Sequence, residues 1–463
     1  MAASTFVAAE NSGVVTQSGV TVSGGLINTS GGGRLVATGS ASNFLSGTTL
    51  NGVLDMATSF GIERVTGGLT LNGTVNIANG SILAPQGDQT IGGTGTIVFA
   101  DTNSSNRLNV EAGNLTLGSG ITVRGNTGHI GQQSFLGGAS TLTNNGTIQA
   151  DVAGGTITLN VNGGVTNSGT LAALNGGTLL LSSNVNNAVG SQILAGAGST
   201  VVQNGVTLNG VINVAGGGAF RASGSANNFL SAATLNGTLD LASTSAIERV
   251  VGGLNLNGTV NIGNNSILAP QGDQTIGGNG TIVFADASVS NRLNVEAGNL
   301  TIGAGVTVRG NTGVIGQQAF LGGAATLTNN GVIQADVSGG TITLGVSGAV
   351  TNNGTLAARN GGTLLLNSSV NNLAGSQIVA DAGSTVTQNG VTLNGTIKVD
   401  GAGNFRASGS GNNFLDSANF TGTLDLATGK TFPPTPALFN INAIDFDYVP
   451  SPEAPERWIK FLE

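Results

Sequence analysis

Three carboxylates recur at spacings that would suit chemistry. Glu63, Asp88 and Glu111 are 25 and 23 residues apart, and Glu248, Asp273 and Glu296 repeat the set at the same intervals. In a chain that coils once every twenty-odd residues, such spacing stacks side chains on one side at roughly 5–10 Å intervals. A row of oxygens of that kind suits Ca²⁺, a cation with a preference for oxygen ligands. It equally suits an acid/base pair at glycosidic separation. Arg64 and Arg107 fall near the same row, so ion pairing at the surface is the competing expectation. Tandem Gly-Gly-x-Gly-x-Asp nonapeptides, the usual calcium-binding repeat, are missing. No cofactor is therefore expected, with Ca²⁺ at the acidic row as the one alternative.

Other carriers of chemistry are few. The only histidine, His129, lies in "GNTGHIGQQ", and the residue 185 positions later is Val314. A duplicated function cannot need that imidazole, and a corner position is expected for it. There is no Gly-x-Ser-x-Gly elbow, phosphate loop or His-Glu-x-x-His helix. The absence of Cys removes disulfides and thiolate metal sites.

Composition points away from an ordinary soluble enzyme. Charged residues make up 8% of the 463, against about 25% in a typical globular chain. Net charge is −8, and the 14 Lys and Arg are scattered singly, which excludes a phosphate-neutralising surface and hence nucleic acid as a partner. No apolar run reaches the roughly 18 residues of a transmembrane segment. The start, "MAASTFVAAENSG", lacks a basic region followed by an apolar one, so any export signal is expected to be removed or to lie elsewhere.

The elements that must position these residues come from internal repetition. "IERV", "ILAPQGDQTIGG", "NRLNVEAGNLT" and "VRGNTG" each recur at an offset of 185 residues, and a partial third copy runs through "FRASGSGNNFL". Within the unit, "NGT" plus an aliphatic residue, or a relaxed form of it, recurs at Leu54, Val75, Ile97, Ile148, Leu171 and onward. Eight such beats fill 185 residues, about 23 each. Around them, "GTITLNV", "GTLLL" and "LTLNGTVNI" alternate with period two and are rich in β-branched residues, as strands are. Between them, "NNG", "GGG" and "GAGS" supply residues that tolerate tight corners.

This pattern predicts an all-β, right-handed parallel β-solenoid of about 18 coils, a rod on the order of 90 Å long. Aliphatic residues should line its interior, with Thr and Asn in stacks of like residues. The solenoid is expected over 14–429, as copies at about 14–199 and 200–384 and a partial copy at 385–429, after a leader or cap strand at 1–13. Asp88 and Asp273 would then lie eight coils apart, about 38 Å, too far to share one small substrate. An ice-binding face would need Thr-x-Thr on every coil, and "TIT" at Thr156 and Thr341 is too sparse for it.

The pattern stops near Lys430, and the remaining 430–463 holds six of the eight Pro, the only Tyr and the only Trp. Proline there prevents continuation of the ladder. Phe439, Ile441, Ile444, Phe446, Tyr448, Trp458 and Phe461 are the residues expected to anchor this tail. It would either cap its own rod or add as a strand to a neighbour, joining copies of the chain end to end.

The text from Leu142 to Leu181, "LTNNGTIQADVAGGTITLNVNGGVTNSGTLAALNGGTLLL", and its copy from Leu327 resemble the repeats of large bacterial surface and secreted β-helix proteins. These include filamentous-haemagglutinin-like adhesins, autotransporter passengers and extracellular matrix proteins. The resemblance covers most of Val14 to Gly429 and implies an exported stalk, on or outside a bacterial cell, used for adhesion or for building fibres and matrix. It implies no enzymatic activity, with the chain itself, cell-surface glycans or matrix polysaccharide as partners. The tail from Thr431 departs from the family pattern, having no membrane barrel, hydrophobic anchor or recognisable sorting signal. A polysaccharide-binding or -cleaving β-helix enzyme and a host-recognition spike are the alternative expectations.

Overall fold

Alternating inward and outward residues along short strands give this chain its architecture. The computed structural model describes residues 5–7, 10–57, 60–132, 139–317 and 323–426. Among them are 51 strands and no helix, joined in a single parallel β-solenoid. Away from the two ends, each strand pairs in parallel with the coil before and the coil after: Thr74–Ile77 lies between Val53–Asp55 and Thr96–Phe99. Three columns of strands form, beginning at Thr5–Val7, Val14–Gln17 and Thr21–Ser23. Each column carries 19 or 20 rungs, so the chain makes about 18 full turns.

The repeating "NGT" beat is explained residue by residue. Its aliphatic residue points inward: Val75, Ile97, Val123, Ile148, Leu171 and Ile193 stack in register, all fully buried. Burying each removes apolar surface worth about 2 kcal/mol, but only because the next coil covers it. The Thr residues Thr74, Thr96, Thr122, Thr147 and Thr170 form a matching outward column. The Asn stacks by hydrogen bonds: Asn72 Nδ2 donates to Asn51 Oδ1 and Asn51 Nδ2 to Asn28 Oδ1, both at 3.0 Å. The Gly is required by close approach, for a Cβ on Gly73 would sit 1.9 Å from the Gly52 carbonyl oxygen and one on Gly258 1.9 Å from that of Gly237.

Two features fill the interior beyond the aliphatic columns. Phe99 and Phe284 are fully buried, each with its ring over a glycine, Gly128 or Gly313, whose added Cβ would meet the ring at 2.3 Å. A buried Asn ladder runs along one strand column in each copy. Asn144 Nδ2 donates to Asn167 Oδ1 at 2.7 Å and Asn167 Nδ2 to Asn187 Oδ1 at 2.6 Å. Asn329, Asn352 and Asn372 repeat this at the same distances. Each amide nitrogen in the ladders also donates to nearby carbonyls, as Asn144 Nδ2 does to those of Gly146 and Thr170 at 3.3 Å, which removes the roughly 1–3 kcal/mol penalty of an unpaired buried donor; Asn144 Oδ1 and Asn329 Oδ1, on the first rung of each ladder, have no partner.

The sequence repeat does not contain a whole number of coils. Twenty-two strands run from Ile62–Leu71 to Thr238–Asp240. Three of them, Ile62–Leu71, Thr207–Val214 and Asn228–Asn236, bend across a corner and serve two sides each. The 185-residue copy thus supplies 25 sides, or eight and one third coils of about 22 residues, rather than the eight expected. Ile82–Pro85 accordingly lies in the column that starts at Thr21–Ser23. Its duplicate Ile267–Pro270 lies in the column that starts at Thr5–Val7. The two copies are turned by one third of a revolution about the rod. Phe439, Ile441, Ile444, Phe446, Tyr448, Trp458 and Phe461 lie outside the described residues.

Candidate functional site

The strand ladder separates the six acids into three environments. Glu63 shares the inward side of Ile62–Leu71 with Val65 and lies opposite Leu83 of the next coil. Its side chain is fully buried, as is that of Glu248. Gln17 Nε2 donates to Glu63 Oε1 at 3.3 Å. Burial pushes the Glu63 carboxyl up to about 8, against the smaller lowering effect of the Gln17 bond. The Glu248 carboxyl is raised well above its usual range for the same reason, against a smaller lowering by the neighbouring Gln203 amide.

Glu111 lies at a corner, bridged in parallel to Gln86 of the coil below. Its carboxylate pairs with Arg64, two coils down, at 3.2 Å. The Arg64 guanidinium lies over the Phe44 ring, 5.8 Å from its centroid, and also donates to the Ala41 carbonyl. Arg249, Glu296 and Phe229 reproduce the arrangement at 3.3 and 5.5 Å. "ILAPQGDQTIGG" makes this reach possible. Ala84 sits directly opposite Arg64 and is small enough for the side chain to pass over it, which leaves Ala84 itself fully buried on an outward position. Ala269→Leu should displace Arg249 from Glu296 and cost about 1–3 kcal/mol in urea unfolding; an unchanged midpoint would show that the arginine reaches past a larger side chain.

Asp88 and Asp273 are exposed corner residues. Oδ1 of each accepts the backbone N–H of the next coil, from Asn114 and Asn299, both at 2.8 Å. The acids therefore do not form the single row that their spacing suggested: one points into the core, one caps a corner and one is held by arginine. Among the described residues, no three His, Cys, Asp or Glu come together as a metal site. Sequence spacing finds residues in neighbouring coils, whereas the inward or outward direction follows from alternation. "IERV" already places Glu63 on the side of Val65, and that is the signal that separates it from Asp88.

The remaining ionic side chains, Lys398 with Asp400 excepted, hold coils to one another. Eleven Lys and Arg lie among the described residues, and nine make ion pairs, such as Arg124 with Asp151 at 2.6 Å and Arg309 with Asp336 at 2.7 Å. Arg107 and Arg292 make none there. His129 stacks between Arg107 and Thr158 in its column. Burial, and then the Arg107 charge, push its imidazole below its ordinary range, which favours the neutral form. The buried Asn ladders are the stacks of like residues that the sequence led one to expect, whereas Gln17 and Gln203 are functional to the scaffold and carried no signal of their own, since Gln is ordinary at corners. No helix among the described residues is long and apolar enough to cross a membrane. No family model matches the chain, and comparison with curated proteins and with solved structures returns no match either.

Proposed function

We propose that the chain is a structural, non-enzymatic β-solenoid of the bacterial cell exterior, serving as an adhesin stalk or as a self-assembling fibre or matrix subunit. The observation that carries this reading is an uninterrupted parallel ladder in which every candidate acid is used to hold the scaffold. About 18 turns at the strand spacing give a rod of about 86 Å. Its last rungs, Phe414–Thr421 and Leu424–Leu426, have a strand partner on one side only among the described residues. Such edges template further pairing, and the aromatic tail supplies the segment through which copies would join end to end. Electron microscopy of the full chain and of a chain lacking 431–463 tests this. Filaments that lengthen with concentration and shorten on deletion are expected; monomeric rods in both samples would remove tail-mediated assembly.

A second reading, polysaccharide binding, has one supporting feature. A shallow corner groove of about 340 Å³ is lined by Asp273, Gly298, Asn299, Thr326 and Ser347. Its polar groups are already ordered by mutual hydrogen bonds, Thr326 donating to Asn299 Oδ1 at 3.0 Å. A glycan strand laid along the rod would meet hydroxyl and carboxylate groups there, on a floor of small residues.

A further inference from the structure

The interior contains two buried Gln–Glu pairs whose unpartnered side-chain atoms are all oxygens. Gln17 is 2% exposed and Glu63 0%; Gln203 and Glu248 are both 0% exposed. In the first pair, Gln17 Nε2 donates to the Val20 and Phe44 carbonyls and to Glu63 Oε1. Gln17 Oε1 and Glu63 Oε2 are then left without partners. In the second pair, Gln203 Nε2 donates to the Val206 and Phe229 carbonyls at 2.8 and 3.1 Å. Gln203 Oε1 and both Glu248 oxygens are left. Every orphan in both pairs is an acceptor. An amide oxygen and a carboxylate oxygen repel, and each unpaired buried one costs stability.

One proton per pair resolves this. We propose that Glu63 and Glu248 are neutral carboxylic acids in the folded rod, each donating its O–H to the side-chain oxygen of Gln17 or Gln203, so that the two joints are locked by a proton and released by alkali. In the first pair the result is a closed acid–amide ring, N–H to Glu63 Oε1 one way and O–H to Gln17 Oε1 the other. Nothing else nearby supplies the charge balance an ionised form would need. The strands packed against Glu63, namely Val14–Gln17, Phe44–Leu50 and Ile82–Pro85, hold no titratable residue. Arg64, its neighbour in sequence, points outward to Glu111. Around Glu248, Asn228–Asn236 and Ile267–Pro270 are likewise uncharged, Thr200–Gln203 adds none, and Arg249 is turned out to Glu296.

The third copy provides an internal contrast. Gln388 repeats the same donations, to Val391 and Phe414, and its Oε1 is also unpartnered. The sequence position matching Glu248 there is Pro433, which lies outside the described residues.

The sign of the pH dependence follows from where the proton is held. Burial raises the folded carboxyls above their unfolded values, so the native chain keeps protons that the unfolded chain has released. This stabilisation is complete below about pH 4.5 and is lost as pH rises through about 8 for Glu63.

Infrared spectroscopy and thermal unfolding of the full chain test the proposal together. At pH 6 the wild type should show the carbonyl stretch of a protonated carboxylic acid, absent from the double variant E63Q/E248Q and losing the Glu63 share of its intensity in the wild type as the pH rises through about 8. The midpoint of unfolding should fall by a few degrees from pH 5 to pH 9 in the wild type, and by less in the double variant, in which an amide can keep the ring without a proton. A wild-type spectrum with no acid carbonyl at pH 6 would overturn the proposal, whether or not the variant folds. So would a double variant whose pH profile matches that of the wild type.

Discussion

Replacing Gly258 by Ala should cost about 3 kcal/mol and open the rod locally. The new Cβ would lie 1.9 Å from the Gly237 carbonyl oxygen and within 2.6 Å of two more backbone atoms of that residue. Backbone cannot swing aside as a long side chain can, so the two coils must separate at that corner. Separation breaks the ladder between Thr238–Asp240 and Thr259–Ile262 and the Asn257–Asn236 bond beside it. In a solenoid each coil contacts only its neighbours, so the damage stays local. Hydrogen exchange should accelerate in those two strands and remain unchanged near Thr74–Ile77. Gly216 is the control: a Cβ there meets nothing within 4 Å, and Gly216→Ala should stay within about 0.5 kcal/mol. If the two substitutions behaved alike, the close approach would not be the reason for glycine in the beat.

Phe284→Ala should cost about 3–5 kcal/mol, the usual range for deleting a buried ring. The site cannot collapse easily, because the facing residue, Gly313, has no side chain to move into the gap. Gly313→Ala alone should also destabilise, with its Cβ 2.3 Å from the ring. The informative experiment is the cycle: Phe284→Leu with Gly313→Ala should cost less than the sum of the single changes, because the smaller side chain makes room for the methyl group. Strict additivity in urea unfolding would show that ring and glycine are not packed against each other. Phe99 and Gly128 form the same pair in the first copy, and changes there should add independently to those at Phe284.

The sequence was most informative where physics is local. Alternation in "GTITLNV" and "LTLNGTVNI" locates strands, and Asn-Gly corners locate turns, because both patterns act within a few residues. The coil count per copy was harder to read. Ile62–Leu71 and Asn228–Asn236 turn a corner inside an unbroken strand, at Gly67–Gly68 and at the register shift between Ser231 and Ala233, so each looks like one strand while it builds two sides. The missing third of a coil is hidden in those runs. The acids were misleading for a related reason. Spacings of 25 and 23 residues identify neighbours along the axis, but coils differ in length, and the direction of a side chain changes with every residue. Glu63 and Glu111 are both near Arg64 in coil number, yet only Glu111 is on its side of the sheet. The Gln17–Glu63 contact spans 46 residues, which no local pattern reports.

The fractional coil count changes what duplication does for such a rod. Adding a copy does not lengthen one face; it turns the display, so that a feature and its duplicate stand about 40 Å apart along the axis and look out from different sides. A flat surface that touches the Arg64–Phe44 patch cannot lie against the Arg249–Phe229 patch at the same time. Partners arranged around the rod can engage both, and a fourth copy would be the first to face the same way as the first. Duplication by this length makes a single rod a node that gathers partners from several directions.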